Sequence, residues 1–366
     1  MIVRNEEAYL RRCLESVQGA VDEIVILDTG STDQTKEIAR EFTPCVYDDV
    51  WNDDFAAARN AAFSHATKPY LMWMDADDVL DAPEREKLIA LKPALDGSID
   101  AVMLPYVCGR RPDGEPLLVF DRERIVRAGA GFRFEGAVHE AMQVSGKVIR
   151  EDIAIRHTGT HGKGSNARNL AIYERWRSSG RPMTARDWYY YARELADAHR
   201  FSEAEHVFAR VATQPCWSEI RIGAHVQRAK CLLALARIDE ARAELLSALA
   251  VDTPRADALC MLGLCEMQAG RDTAAALWYR AARLCERAPG SAFVCADDYD
   301  YVPSIQLCVL LDRMGRTREA AQENERALIA RPGDPAATAN REYFSKKLAA
   351  DKKTNGESVF CASLEA

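Results

Sequence analysis

A chain of 366 residues with 48% hydrophobic content is long enough for two or three domains, each with its own core. Its 48 Lys+Arg against 56 Asp+Glu leave a net charge of −8, which speaks against a general nucleic-acid binder, since such proteins carry a basic face. No apolar run approaches the roughly 18 residues of a membrane-spanning helix. The early polar stretch Arg4-Asn5-Glu6-Glu7 argues against a secretory signal. Eleven cysteines lie scattered without a CxxC pair, as expected for small core residues of a cytoplasmic protein.

Met1-Ile2-Val3 reads as the end of a first strand, so either the strand is short or the native N-terminus is longer. Arg4 to Glu7 then opens a helix, with Leu10, Leu14 and Val17 at helical spacing and Gly19 after its end. Glu23 to Asp28 is a second buried strand ending in an acid. The turn Thr29-Gly30-Ser31-Thr32-Asp33 follows, with Thr32 or Asp33 capping the next helix. Asp28, at a strand's carboxyl end before a glycine turn, is placed to meet a ribose or a base. Cys45-Val46-Tyr47 is a third strand, and a helix from Ala56 to Ala66 follows with Asp54 as its N-cap. Arg59 within it is either a diphosphate partner or a solvated side chain.

The chain's chemistry concentrates in Tyr70 to Asp78. The five residues Tyr70 to Met74 are too few for a helix and read as a buried strand. Asp75, Asp77 and Asp78 follow, and burying an ionised carboxylate is costly unless a cation or hydrogen bonds compensate. Asp75 and Asp77 stand two apart on an extended chain, point the same way and are predicted to share one divalent ion. Asp78 or Asp81 would cap the helix that Pro83 begins. Strand and helix thus alternate four times in 80 residues, the pattern of a parallel sheet covered by helices. Further strands are expected over Ala101–Leu104 and Leu117–Arg127, joined by an Asp113-Gly114 turn, and over Lys147–Ile155.

Four stretches, Ile2 to Glu7, Asp22 to Asp33, Trp51 to Asn60 and Met74 to Asp78, occur in an order and spacing that resemble a family 2 glycosyltransferase. The resemblance implies a GT-A fold, an α/β Rossmann-like mixed sheet. It assigns Asp28 to the nucleoside and Asp75 to the nucleotide sugar, with Arg4, Glu6 and Arg59 around the donor. Asp77 would ligate a divalent metal, Mg2+ or Mn2+, on the diphosphate. Gly131 to Glu140 resembles the acceptor-side segment of these transferases, where a His-Glu pair closes the sugar pocket. His139 is then a sugar contact and Glu140 the general base, with Asp78 behind it. A His after a late strand is the third metal ligand in several relatives, here His157, with His161 in reserve.

Lys163 to Arg177 reads as a helix, and the breakers Ser178 to Pro182 mark a boundary. Beyond it Arg200-Phe201, Arg237-Ile238, Gly270-Arg271 and Gly315-Arg316 each precede an alanine: Ala204, Ala241, Ala274 and Ala320, spaced 37, 33 and 46 apart. This resembles tetratricopeptide repeats, whose period is about 34. The last interval carries an insertion, Ser291 to Pro303. The expected layout is a transferase domain over 1–165, a linker helix over 166–183, helical repeats over 184–349 and a disordered tail over 350–366. The combination is similar to the sublancin-type S-glycosyltransferases. It implies inverting transfer from a UDP-sugar to a peptide, protein or glycan, with the repeats recognising that acceptor or pairing two copies of the chain. An inactive transferase domain serving an interaction scaffold is the alternative.

Overall fold

The computed structural model describes residues 1–110, 116–159, 163–286 and 295–362, apart from the side chains of 110, 116–117, 163–165 and 351–362. The tip of the expected Asp-Gly hairpin and the reserve ligand His161 therefore lie outside the described residues. The chain divides into two compact units, Met1–Ala198 and His199–Ala366.

The first unit begins with β1 (Ile2–Val3), α1 (Leu10–Val17), β2 (Ile26–Asp28), α2 (Thr35–Phe42), β3 (Val46–Asp48) and α3 (Phe55–Ser64). The three strands form a parallel sheet in the order β1-β2-β3. Helix α1 buries Leu10, Cys13, Leu14 and Val17, the i, i+3, i+4, i+7 stripe that turns one helix face to a core. Asp54 caps α3 as expected, its side chain accepting from the Ala57 N–H at 2.8 Å. The expected helix at Arg4 starts only at Leu10. Asn5 adopts φ +56°, and its Oδ1 accepts from the Thr32 N–H at 2.8 Å, so residues 4–7 form a loop stitched to the turn after β2.

Next come β4 (Tyr70–Met72), β5 (Asp78–Val79), α4 (Ala82–Leu91), β6 (Ala101–Arg110), β7 (Pro116–Arg127), β8 (Phe134–Glu135), β9 (Ala141–Met142), β10 (Val148–Arg150) and β11 (Ile155–His157). A second, mixed sheet runs β4-β7-β6-β11-β5, with β10 also along β6. Here the fourfold parallel pattern fails: β4 pairs antiparallel with β7, Leu71 opposite Val126. The long β6-β7 hairpin supplies its neighbour, and strand–helix alternation in the sequence carries no information about a partner 55 residues downstream. In the same sheet β11 places His157 opposite Asp78 of β5. The pair β8-β9 forms a small ribbon beside it.

Helices α5 (Lys163–Ser178) and α6 (Ala185–Asp197) close this unit. The predicted boundary near residue 183 is thus displaced to 198, and α5 is no linker. Tyr173 of α5 is fully buried and donates to the Val138 carbonyl at 3.1 Å. Helix α6 starts in a capping box of Thr184 and Asp187 and buries Tyr189, Tyr190, Tyr191 and Leu195.

The second unit is helical throughout its described residues: α7 (Phe201–Ala212), α8 (Ser218–Ala234), α9 (Ile238–Leu249), α10 (Ala256–Gln268), α11 (Asp272–Arg283), α12 (Tyr301–Arg313), α13 (Thr317–Ala330) and α14 (Pro335–Ala362). Helices α7, α9, α11 and α13 each start directly after an arginine with ψ between 54° and 64°. The fourth residue on is a fully buried alanine: Ala204, Ala241, Ala275 and Ala320. Ala275, not its half-buried neighbour Ala274, is therefore the equivalent position. Gly263 of α10 meets Tyr279 of α11 so closely that an added Cβ would lie 2.6 Å from the ring. Helix α14 runs through most of the stretch expected to be a disordered tail. No helix among the described residues is long and apolar enough to cross a membrane.

Candidate active site

Strand β4 ends at Met72, so Asp75 and Asp77 do not share an extended strand. The Asp78 N–H closes back on the Asp75 carbonyl at 3.0 Å, a turn that sends the two carboxylates to different partners. Asp75 Oδ1 accepts from Arg59 Nη2 at 2.6 Å, whereas Asp77 Oδ1 lies 3.4 Å from His157 Nδ1. Burial opposes the charge of Asp75, but Arg59 and then Arg124 outweigh it and hold its pKa at about 2. The expectation of one ion shared by Asp75 and Asp77 is corrected accordingly: Asp75 is committed to Arg59.

Asp78 is fully buried and closed in by partners. It accepts from Arg124 Nη1 at 2.9 Å, the Tyr106 hydroxyl at 2.8 Å and the Asp75 N–H at 3.0 Å. It is neither a helix cap nor open to a substrate, which removes it as a reserve base. Arg124 is itself 0% exposed and stacks 3.8 Å from Trp73 and 4.3 Å from Tyr106. Arg59 and Arg122 stand 4.6 and 4.8 Å from the same indole, so three guanidiniums surround Trp73.

Asp77, Asp78 and His157 bring one ligand atom each within 4.8 Å of one another. The imidazole is drawn to its charged form, with a pKa of about 10, by the neighbouring carboxylates of Asp77 and then Asp78. A field that favours a proton there favours a divalent cation too, and carboxylate with imidazole is a ligand set that suits Mn2+ or Mg2+. Backbone packs directly onto this corner. Thr158 donates its N–H and hydroxyl to the Asp77 carbonyl at 2.8 and 2.7 Å, and a Cβ on Gly159 would overlap the Asp77 carboxylate. The residues present fit a cation, with Asp77 and His157 as the more open pair at 26% and 11% side-chain exposure.

On the donor side, Asp28 is 1% exposed. Its Oδ1 accepts from the N–H groups of Gly30 at 2.9 Å and Ser31 at 2.8 Å, while Oδ2 is buried without a hydrogen-bond partner. Gly30 at φ +104° makes that tight turn accessible. Arg4 is exposed and Glu6 half-buried on the neighbouring loop. Burial first, then Asp77 and Asp75, raise the Glu6 pKa to about 7. Arg59 is not the solvated side chain that one alternative offered, and its Nη1 is left without a hydrogen-bond partner. It is buried, with Nη2 on Asp75 and Nε on Glu140, both at 2.6 Å.

Glu140, the expected base, thus has one oxygen committed to Arg59. Its neighbour His139 has φ +53°, donates from Nε2 to Glu194 Oε1 at 2.8 Å, and stacks on Tyr190 with centroids 4.2 Å apart. Arg186 donates to the His139 carbonyl at 3.0 Å, and Asn169 donates to Glu194 Oε1 at 3.2 Å. Asn60 exchanges two hydrogen bonds with the Phe134 backbone, at 2.9 and 3.0 Å, fixing β8 against α3. Sequence reasoning missed Glu194, Asn169, Tyr190 and Arg186, since they belong to helices taken for a linker and a repeat. It also missed Arg124 and Tyr106, which sit inside long strands with no local mark of chemistry.

Residues 1–114 match the family described as Glycosyl transferase family 2, and the first unit accordingly carries a family 2 glycosyltransferase domain. Among curated proteins, the SPbeta prophage-derived glycosyltransferase SunS of Bacillus subtilis is 33% identical over 147 residues, covering 38% of this chain and 33% of that protein. The lipopolysaccharide core biosynthesis glycosyltransferase LpsC of Rhizobium meliloti is 31% identical over 156 residues, 40% of this chain and 57% of LpsC. The match thus spans a third of the length of one relative and little more than half of the other. Among solved structures, a tetratricopeptide repeat protein from Parabacteroides merdae is 14% identical with a TM-score of 0.40, covering 54% of this chain and 74% of that one.

Proposed function

We propose that the protein is an inverting, metal-dependent glycosyltransferase of the cytoplasm that moves a sugar from a nucleotide diphosphate, a UDP-sugar by family likeness, to a peptide, protein or glycan. The observation that carries this reading is the gathering of Asp77, Asp78 and His157 in a family 2 domain, with Asp75 bonded to the same turn. Asp28 ends β2, Asp75 and Asp77 share the turn before β5, and His157 ends β11, and each has a geometry that suits a donor or a cation. Asp77 and His157 would hold the divalent ion, whose Lewis acidity when bound neutralises charge on the departing diphosphate. The buried, unpartnered Oδ2 of Asp28 would accept a hydrogen bond from the nucleoside. Arg59 keeps Asp75 ionised and fixed, so that carboxylate can accept from the sugar without rearranging.

Inversion requires a single displacement, and therefore a group that takes the acceptor's proton. The helical unit supports an acceptor role, because stacked repeats suit extended ligands. The full chain should be screened against a nucleotide-sugar panel with Mn2+ or Mg2+, reading released diphosphate. One donor should be turned over, and both chelation and Asp77→Asn should lower its turnover by about 10²-fold or more while circular dichroism stays unchanged. Turnover that ignores both the chelator and the substitution would remove the metal from the reading.

A further inference from the structure

We propose that His139, held by Glu194, is the general base of the transfer, with the acceptor's nucleophilic O–H or S–H presented to its Nδ1. This rests on the glycosyltransferase reading above. Nε2 faces a carboxylate at 2.8 Å, and a ring nitrogen in that position carries the hydrogen. Nδ1 then holds the lone pair, and among the described residues it has no hydrogen-bond partner. The burial of the two groups is graded in the sense a base needs: the Glu194 side chain is 4% exposed and the His139 side chain 34%. One edge of the ring is therefore anchored inside the protein while the ring as a whole still reaches solvent.

The ring has little freedom. It stacks on Tyr190 at 17° between planes, and its backbone is held at φ +53° with the carbonyl bonded to Arg186. Glu194 Oε1 also accepts from Asn169 at 3.2 Å, while Oε2 is buried with no hydrogen-bond partner. A buried acceptor left unsatisfied costs stability, and stabilising an imidazolium in mid-reaction is a reason to keep it. Glu140 next door is the weaker candidate, because Arg59 holds its Oε1 at 2.6 Å. One guanidinium separates Glu140, the residue next along the chain, from Asp75.

In the step, the acceptor oxygen or sulfur forms its bond to the anomeric carbon as the bond from that carbon to the diphosphate oxygen breaks. The electron pair leaves with the diphosphate, and the acceptor proton passes to Nδ1. Glu194 stabilises the imidazolium until water removes the proton. Glu194 is accordingly a positioning residue.

The test uses the full chain, the donor found in the panel and an acceptor that it glycosylates. His139→Ala should lower kcat for transfer by roughly 10²- to 10⁴-fold with donor affinity by calorimetry unchanged, and added imidazole should restore part of the rate. His139→Asn, which tolerates the positive φ, guards against misfolding and should show the same loss without rescue. Glu194→Gln should lower kcat by roughly 10²-fold and leave KM for the donor in place. Normal transfer by both His139 variants, or a loss confined to donor affinity, would overturn the base assignment alone. Absence of turnover by the unaltered chain on every donor would overturn the transferase reading and this proposal with it.

Discussion

One charge arrangement from each unit makes an instructive contrast. In the first, Arg59, Arg124, Asp75 and Asp78 form a network around Trp73 whose ends lie on strands and helices far apart in sequence. In the second, Arg200, Arg237 and Arg316 pair at 2.6 Å with Glu203, Glu240 and Glu319, three residues on and largely exposed, at three of the four repeat starts. One arrangement is singular and dry, the other is repeated and wet. A singular network cannot lose a member without stranding a charge, while a repeated surface pair can be lost and leave its copies standing.

The largest effect should come from breaking the singular network. Arg124→Met leaves the Asp78 carboxylate buried without its guanidinium and should cost about 3–5 kcal/mol of the first unit's stability in urea unfolding. Adding Asp78→Asn should recover part of that loss. If Arg124→Met alone unfolds at the original midpoint, the contrast between the units is false. Smaller, and confined to the second unit, is Gly263→Ala. The Tyr279 ring must shift to admit the methyl group, at about 1–3 kcal/mol, and only the helical transition should move.

Next is a pH effect in chelator. Glu6 has its pKa raised to about 7 in the folded state against an ordinary 4.5. Between those values the folded chain keeps a proton that the unfolded chain has released, so first-unit stability should fall as pH rises from 4.5 to about 7. Glu6→Gln should flatten that slope, and an unchanged slope would place its cause elsewhere. The smallest effect belongs to Arg316→Ala, which removes an exposed, repeated pair and should leave the unfolding midpoint of the second unit where it was.

The sequence legibly encoded what depends on neighbours. The three parallel strands, the Asp54 cap and the repeat period with its buried alanines all come from signals a few residues wide. Asp77 and His157 stood out because each follows or ends a strand-like run in the sequence, and the structure brings them within 3.4 Å. What stayed hidden depends on distance along the chain. Nothing near Asp78 announces Arg124, 46 positions on, and nothing near His139 announces Glu194, 55 positions on. The displaced domain boundary has the same origin. Ser178 to Pro182 does break a helix, but whether a break separates domains is decided by what α6 packs against, and that is Tyr173 and His139.

The pairing of β5 with β11 sets a schedule for synthesis. Asp78 emerges from the ribosome well before its partners: Arg124 follows 46 residues later, and His157 comes only with the last strand of the sheet. At roughly 5–20 residues per second, the ribosome takes on the order of 4 to 16 s to go from Asp78 to His157. Through that interval the strand-end acids are a cluster of negative charge on a sheet whose closing strand has not yet been made, and the two helices that seal the unit are later still. The first unit can therefore complete itself only once residue 197 has been made, at the threshold of the repeats.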